Sequence, residues 1–210
     1  MKIDISTAGI KATDEIKAAV PKLIMGGRRK KQKGFTLIEL TAAVAIIGAV
    51  IAAAVGGRHL LTFYNGKSEG DLISNALSCA RSTWTSSNFA GITLRNMVDN
   101  GCFPVENSSG KGSAAASAAN NFSTAYSISA VDLNGTNDGI QVTSTNIPSG
   151  SCSASITAAN AGASRIQVLA GATTTTVKAL GRAINDGSVA TACGSATTVS
   201  VIAAASKSGG

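Results

Sequence analysis

The sequence predicts an α+β fold in which one long amino-terminal helix packs against an antiparallel β-sheet. Residues 35–55 form an apolar run whose single charge is Glu39, and 21 residues at helical rise cover about 31 Å, the thickness of a bilayer core. Beyond this run, apolar residues recur at three- and four-residue spacing as far as Ala80, which is typical of an amphipathic helix. The second half of the chain then alternates apolar and polar residues with the period of strands.

The positive charge of the chain is concentrated at its start. Residues 1–34 hold nine of the 18 Lys and Arg residues and three of the 11 Asp and Glu residues. The remaining residues hold nine basic and eight acidic side chains, a net charge of +1. The chain beyond residue 34 therefore offers no basic surface for a phosphate backbone, and we expect no nucleic acid as primary partner.

A basic cluster at residues 28–33 directly precedes the apolar run. This order is that of a membrane-inserted segment whose basic end stays in the cytoplasm. No Ala-x-Ala-like cleavage site follows the run, and the small residue, Gly34, lies before it. An ordinary membrane anchor is one interpretation. A lone carboxylate in an apolar segment is costly, however, which makes Glu39 a candidate functional residue.

The stretch Gly34-Phe35-Thr36-Leu37-Ile38-Glu39 resembles the processing site of type IV prepilins and pseudopilins. The resemblance covers residues 34–56. It implies that a prepilin peptidase cuts between Gly34 and Phe35 and N-methylates Phe35. It also implies that Glu39 compensates the positive amino terminus of a neighbouring subunit during assembly, and a buried carboxylate is tolerated beside a cation.

The same resemblance divides the chain into three parts. Residues 1–34 are a leader peptide, residues 35–56 a transmembrane and assembly helix, and residues 57–210 a globular head that includes the amphipathic second half of the long helix. The implied partners are other copies of the chain in a helical polymer, the peptidase and the assembly machinery of the bacterial inner membrane. The precursor would hold its head in the periplasm, and the assembled pilus would be extracellular.

The middle of the chain predicts helices and a loop. Eight apolar residues define the packing face of the long helix: Leu60, Leu61, Tyr64, Leu72, Ile73, Ala76, Leu77 and Ala80. Gly56 and Gly57 weaken that helix by roughly 1 kcal/mol each. Residues 86–100 predict a short helix ending at Gly101, and residues 107–121 have the low complexity of a flexible surface loop.

The second half predicts a β-hairpin followed by alternating helices and strands. The hairpin covers residues 126–143 around a turn rich in Asn and Gly. The elements after it are a helix at residues 149–159, a strand at 165–169, a helix at 175–185 ended by Asp186-Gly187, and a strand at 197–202.

The four cysteines, Cys79, Cys102, Cys152 and Cys193, include no Cys-x-x-Cys pair and accompany a single His. We therefore predict disulfides formed in an oxidising compartment and no metal site. Four cysteines allow three pairings. A free buried thiol at Cys79 is the alternative to full oxidation.

The order of cysteine-bearing elements and the long leader resemble the type IVb pilins, although mature type IVb chains more often start with Met or Leu than with Phe. In similar pilins a disulfide closes the carboxy-terminal region. This implies the pair Cys152–Cys193, and the pair Cys79–Cys102 if all four are oxidised.

The function that the resemblance implies is that of a structural subunit, a major pilin serving adhesion, aggregation or conjugation-type contact between cells. The alternative is a minor pilin or pseudopilin of a type II secretion or DNA-uptake system. We expect no cofactor and no enzymatic activity, since residues 57–210 offer one His, His59, and no recognisable nucleophile motif.

Overall fold

The computed structural model describes residues 36–207. The predicted cleavage-site residues Gly34 and Phe35, and the rest of the predicted leader, lie outside the described residues. The described chain begins with helix α1, Leu37–Thr83, which is 47 residues long. It continues through Gly56 and Gly57 without a break, so the predicted long helix is confirmed.

The remaining elements follow α1 in an order that gives an α+β fold. They are α2 (Leu94–Asp99), a 3₁₀ turn (Val105–Asn107), β1 (Ser108–Ser109), β2 (Ser117–Ala118), β3 (Ser127–Val131), β4 (Gly139–Pro148), α3 (Ser149–Ala159), β5 (Arg165–Ala170), β6 (Thr173–Lys178), α4 (Asp186–Gly194) and β7 (Thr198–Ser206). The predicted hairpin, the helix at 149–159, the strand at 165–169 and the last strand are confirmed.

The main sheet has five strands in the order β3-β4-β7-β5-β6, and every neighbouring pair is antiparallel. In the central pair, Ile140 lies opposite Ala205 and Val142 opposite Ala203, and all four residues are fully buried. Alternate residues of a strand point to the same face. One face of the sheet therefore belongs to the core, which it shares with Ile73, Ala76 and Leu77 of α1.

Helix α2 is shorter than predicted, but it ends where predicted. Thr93 and Asn96 form a capping box at its start, so the helix cannot be extended back through residues 86–92. At its end Gly101 has a φ of +74°. The backbone N–H groups of Gly101 and Cys102 donate to the carbonyls of Val98 and Met97, which is the Schellman arrangement that glycine favours.

The predicted helix at residues 175–185 is wrong. Residues 173–178 form strand β6, which pairs with β5 at the edge of the sheet. Four consecutive threonines, residues 173–176, are β-branched and favour this extended conformation. The helix instead begins after Asn185, whose side chain accepts a hydrogen bond from the Ser188 backbone N–H. Cys193 thus lies on α4 rather than after a helix.

Two further expectations are corrected. Leu60, Leu61 and Tyr64 are exposed by 72, 64 and 68 %, so the packing face of α1 does not include them and begins about one turn later. Residues 107–121 are not a structureless loop, because β1 and β2 form a small antiparallel hairpin within them.

Candidate functional site

The first turn of α1 is closed by its own side chains. The Thr36 backbone N–H and hydroxyl donate to Oε2 of Glu39 at 3.0 and 3.1 Å, and the Glu39 backbone N–H donates to the Thr36 hydroxyl at 3.4 Å. This reciprocal arrangement is a capping box, which fixes where the helix begins. Glu39, predicted as the assembly residue, therefore lies in the first turn as an exposed carboxylate with a defined orientation.

The beginning of α1 exposes its apolar side chains. Every side chain from residue 36 to residue 54 is exposed. Among the described residues, α1 is the one helix whose length and composition would let it cross a membrane. Contiguous exposed apolar surface of this size marks a contact with lipid or with other protein. Its large apolar residues are Leu37, Ile38, Leu40, Val44, Ile46, Ile47, Val50 and Ile51.

A buried carboxylate anchors the later part of α1 to the head. Glu69 is fully buried. Its Oε1 accepts a hydrogen bond of 2.7 Å from the Tyr126 hydroxyl, and its Oε2 accepts one of 3.0 Å from the Asn121 backbone N–H. The Phe103 ring stacks on Tyr126 with centroids 4.9 Å apart. Burial raises the pKa of the Tyr126 hydroxyl above its ordinary range, and the Glu69 carboxylate raises it further.

Sequence reasoning missed Glu69. The available signal was an acidic residue four positions before Ile73 and seven before Ala76, on the same apolar face of the helix. A charge in that position is almost never buried without partners. Its place predicts a polar anchor on the opposing surface, although it does not say which residues supply it.

Two glycines let α1 lie against the backbone of α3. A Cβ atom on Gly66 would overlap the carbonyl oxygen of Ser151, and one on Gly70 would overlap that of Ser155. The Ser151 hydroxyl donates to the Thr62 carbonyl at 2.8 Å. The contact between the two helices therefore requires the absence of a side chain at both glycines.

The structure joins the cysteines in the two pairs that the resemblance implies. Cys79, near the end of α1, is bonded to Cys102, just after α2, with Cα atoms 5.4 Å apart. Cys152 on α3 is bonded to Cys193 on α4, with Cα atoms 5.6 Å apart. No cysteine is free. One disulfide thus fixes the end of the long helix, and the other fixes the two helices of the carboxy-terminal half.

Side chains of the kinds that bind metals are scattered in the described part of the chain. His59 is an exposed residue of α1. Within residues 36–207, no group of three or more His, Cys, Asp or Glu side chains could hold a metal ion. The features that stand out are the exposed apolar helix, its capped first turn and its anchored attachment.

Residues 29–55 match a family described as the Prokaryotic N-terminal methylation motif. No curated protein matches the chain. A solved structure similar to this one is entitled "Crystal structure of TcpA, a Type IV pilin from Vibrio cholerae El Tor biotype". The two chains are 15 % identical, with a TM-score of 0.48, and the similarity covers 67 % of this chain and 99 % of that one.

The motif match covers the basic cluster except Arg28, the predicted cleavage site and the whole of the apolar run. The part of the chain beyond this motif carries the rest of the long helix, the antiparallel sheet and the two disulfides.

Proposed function

We propose that this chain is the precursor of a structural subunit of a type IV pilus. A prepilin peptidase removes residues 1–34 and N-methylates Phe35. Residues 35–56 then hold the subunit in the inner membrane and later in the filament, and residues 57–210 form the head. The observation that carries the proposal is the methylation motif at residues 29–55, within which a capped helix with an exposed apolar surface begins.

Cleavage at this position would create the cation that Glu39 needs. A new α-amino group on Phe35 is a positive charge, and a carboxylate placed in hydrocarbon is tolerated when a cation lies beside it. Within the described residues, the hydrogen bonds of the Glu39 carboxylate are both made by Oε2. Oε1 is the oxygen that we assign to the amino terminus of a neighbouring subunit.

The apolar surface suits close packing between copies of the helix. Small residues are interspersed among the large apolar ones, and small residues let helix backbones approach each other in an apolar environment. Burial of the large side chains between subunits would supply most of the cohesion of the filament. The small residues are Ala42, Ala43, Ala45, Gly48, Ala49, Ala52, Ala53 and Ala54.

The proposed role implies particular partners and cellular locations. The precursor lies in the inner membrane with its head in the periplasm, where it meets the prepilin peptidase and the pilus assembly machinery. The mature subunit lies in an extracellular filament that serves adhesion, aggregation or conjugation-type contact. A minor pilin or pseudopilin would carry the same motif as residues 29–55. The abundance of the chain in filaments therefore separates the two roles.

Two substitutions test the proposal in cells that express the peptidase. Gly34→Leu should leave the full-length precursor in the membrane. Glu39→Leu should be processed normally but should lower the yield of filaments at least tenfold. Ile38→Leu, an apolar exchange beside Glu39, is the control and should be processed and assembled as the parent. Normal filaments from the Glu39→Leu variant would refute the assembly role of this carboxylate.

A further inference from the structure

A stripe of exposed side chains runs along α1 on the side that faces away from the core of the head. Glu69, Ile73 and Leu77 are fully buried on one side of the helix. The exposed residues that lie opposite follow one another at spacings of four and three positions, which places them on a single helix face. We call this face the outer stripe, and it consists of Leu60, Tyr64, Lys67, Asp71 and Asn75.

The outer stripe begins with apolar side chains and continues with charged ones. Leu60 and Tyr64 are exposed by 72 and 68 %. A groove of about 340 Å³ follows, and it contains one positive and one negative side chain. A surface that carries both signs of charge is complementary to a second copy of itself when the two copies are offset along the helix. The groove is lined by Tyr64, Lys67, Ser68, Asp71, Leu72 and Asn75.

The two charges of the groove have no partner in the described part of the chain. The salt bridge found within residues 36–207 is Arg95–Asp99, and neither the Lys67 nor the Asp71 side chain takes part in a hydrogen bond there. Their order along the helix explains why they do not pair with each other, since a base four positions before an acid is the less favourable arrangement. Both charges are therefore available to another molecule.

Lipid tails do not cover this part of α1. Lys67 lies 30 positions after Leu37, the first residue of the helix. At helical rise this distance is about 45 Å, whereas the hydrocarbon core of a bilayer is about 30 Å thick. The occupant that fits an apolar patch followed by a base and an acid is thus another protein surface of the same kind.

The contact proposed for Glu39 defines an offset between neighbouring copies. If Glu39 of one copy meets the amino terminus of Phe35 of a second copy, each residue of the first lies level with the residue four positions earlier in the second. Four residues correspond to about 6 Å along a helix. The same offset, in the same direction, places Asp71 of the first copy level with Lys67 of the second, because α1 is a single helix in both.

We propose that α1 of one copy contacts α1 of a second copy along the outer stripe, with Asp71 of the first bound to Lys67 of the second. Leu60 and Tyr64 are covered in the same contact. It continues the contact of the apolar run and adds an ion pair that sets the register of the two copies. This contact presupposes the proposed pilin role, since the offset exists only between processed and assembled subunits.

Exchange of the two charges tests the pairing through the yield of sheared filaments, relative to the amount of processed subunit in the membrane. Lys67→Asp and Asp71→Lys should each lower this yield at least tenfold, because each brings like charges together at every subunit of the filament. The double variant Lys67→Asp/Asp71→Lys should restore the yield to within threefold of the parent. Lys111→Asp and Glu106→Lys make the same charge changes at exposed positions outside α1 and should leave the yield unchanged.

Parent-like yields from both single variants would overturn the contact. Low yields that the double variant does not restore would overturn the pairing, in favour of a component of the assembly machinery as the partner of the two charges. A parent chain that is processed but absent from filaments would contradict the proposed function itself, and the contact with it, before any variant is compared.

Carbodiimide cross-linking of parent filaments gives a second readout, which does not depend on the yield. The reagent joins an amine to a carboxylate that it touches, so a dimer linked through Lys67 and Asp71 should appear on a denaturing gel and be identified by peptide mass spectrometry. Lys67→Arg keeps the charge but not the reactive amine, and it should form filaments without this dimer. A dimer of equal intensity in Lys67→Arg filaments, or a link found only within monomers, would overturn the contact between copies.

Discussion

The hydroxyl of Tyr126 donates a hydrogen bond of 2.7 Å to the carboxylate of Glu69, although 57 positions separate the two residues in the sequence. Both side chains are buried. This bond ties α1 to the segment that leads into β3. Since a buried carboxylate without partners is strongly unfavourable, the pair fixes where the head attaches to the long helix.

Tyr126→Phe should destabilise the head by about 1–3 kcal/mol, because the substitution removes one of the two donors to a buried charge. Denaturant unfolding of the full chain in detergent, followed by Trp84 fluorescence, measures the change. Tyr64→Phe is the matched control, since Tyr64 is 68 % exposed. An unchanged free energy of unfolding in the Tyr126→Phe variant would contradict the anchoring role of this hydroxyl.

The stability of the head should fall at alkaline pH, because the buried Tyr126 hydroxyl holds its proton more tightly in the folded state than in the unfolded state. Burial and Glu69 raise the pKa of Tyr126 in the folded state, whereas an unfolded tyrosine has a pKa of about 10. Above pH ~10 the folded state therefore keeps a proton that the unfolded state loses. The contribution of Tyr126 to the free energy of unfolding is complete below pH ~10 and falls above it by up to about 1.4 kcal/mol per pH unit.

Unfolding measurements between pH 9 and pH 11.5 check this expectation. In parallel, absorbance at 295 nm should show that Tyr126 remains a phenol in the folded protein through that range. In the Tyr126→Phe variant the free energy of unfolding should fall less steeply with rising pH, because Tyr126 no longer contributes to the decline. If the free energy of unfolding fell as steeply with pH in the variant as in the parent, the decline would belong to other titrating groups.

Gly66→Ala and Gly70→Ala should each destabilise the head by about 1–3 kcal/mol, because the new methyl group would overlap a carbonyl oxygen of α3. Gly56→Ala is the control. No atom lies within 4 Å of the Cβ position at Gly56, so there the usual preference of helices for alanine should stabilise by about 0.5–1 kcal/mol. Stabilisation by Gly66→Ala, measured by thermal unfolding, would refute the close contact between α1 and α3.

Removing either disulfide should lower stability by an amount that follows the length of the closed loop. The Cys152–Cys193 bond spans 41 positions and the Cys79–Cys102 bond 23. Loop entropy then gives about 4 and about 3.5 kcal/mol. Denaturant unfolding of the two paired Cys→Ala variants tests the order. A much larger loss at Cys79–Cys102 would mean that fixing the end of α1 outweighs loop length.

The sequence signals that succeeded were local. The apolar run and the spacing after it predicted α1, alternation around an Asn- and Gly-rich turn predicted the β3–β4 hairpin, and Gly101 predicted the end of α2. The error at residues 175–185 arose because Ala179, Leu180 and Ala183 gave a helical pattern, whereas pairing of β6 with β5 decides the conformation.

The parts of the site that sequence alone could not supply depend on distant partners. Glu69 meets Tyr126 and Asn121 only through the fold. Gly66 and Gly70 likewise meet the Ser151 and Ser155 carbonyls only through the packing of α1 on α3. No spacing rule joins positions so far apart, because their proximity is set by packing of the helices on the sheet.

The decisive measurement is the intact mass of the protein from sheared surface filaments, without and with reduction. We expect a major component that begins at N-methyl-Phe35, contains 176 residues and becomes about 4 Da heavier when its two disulfides are reduced. A processed chain confined to the membrane would favour the minor pilin or pseudopilin role. A chain that keeps residues 1–34 in cells with an active peptidase would refute processing at Gly34.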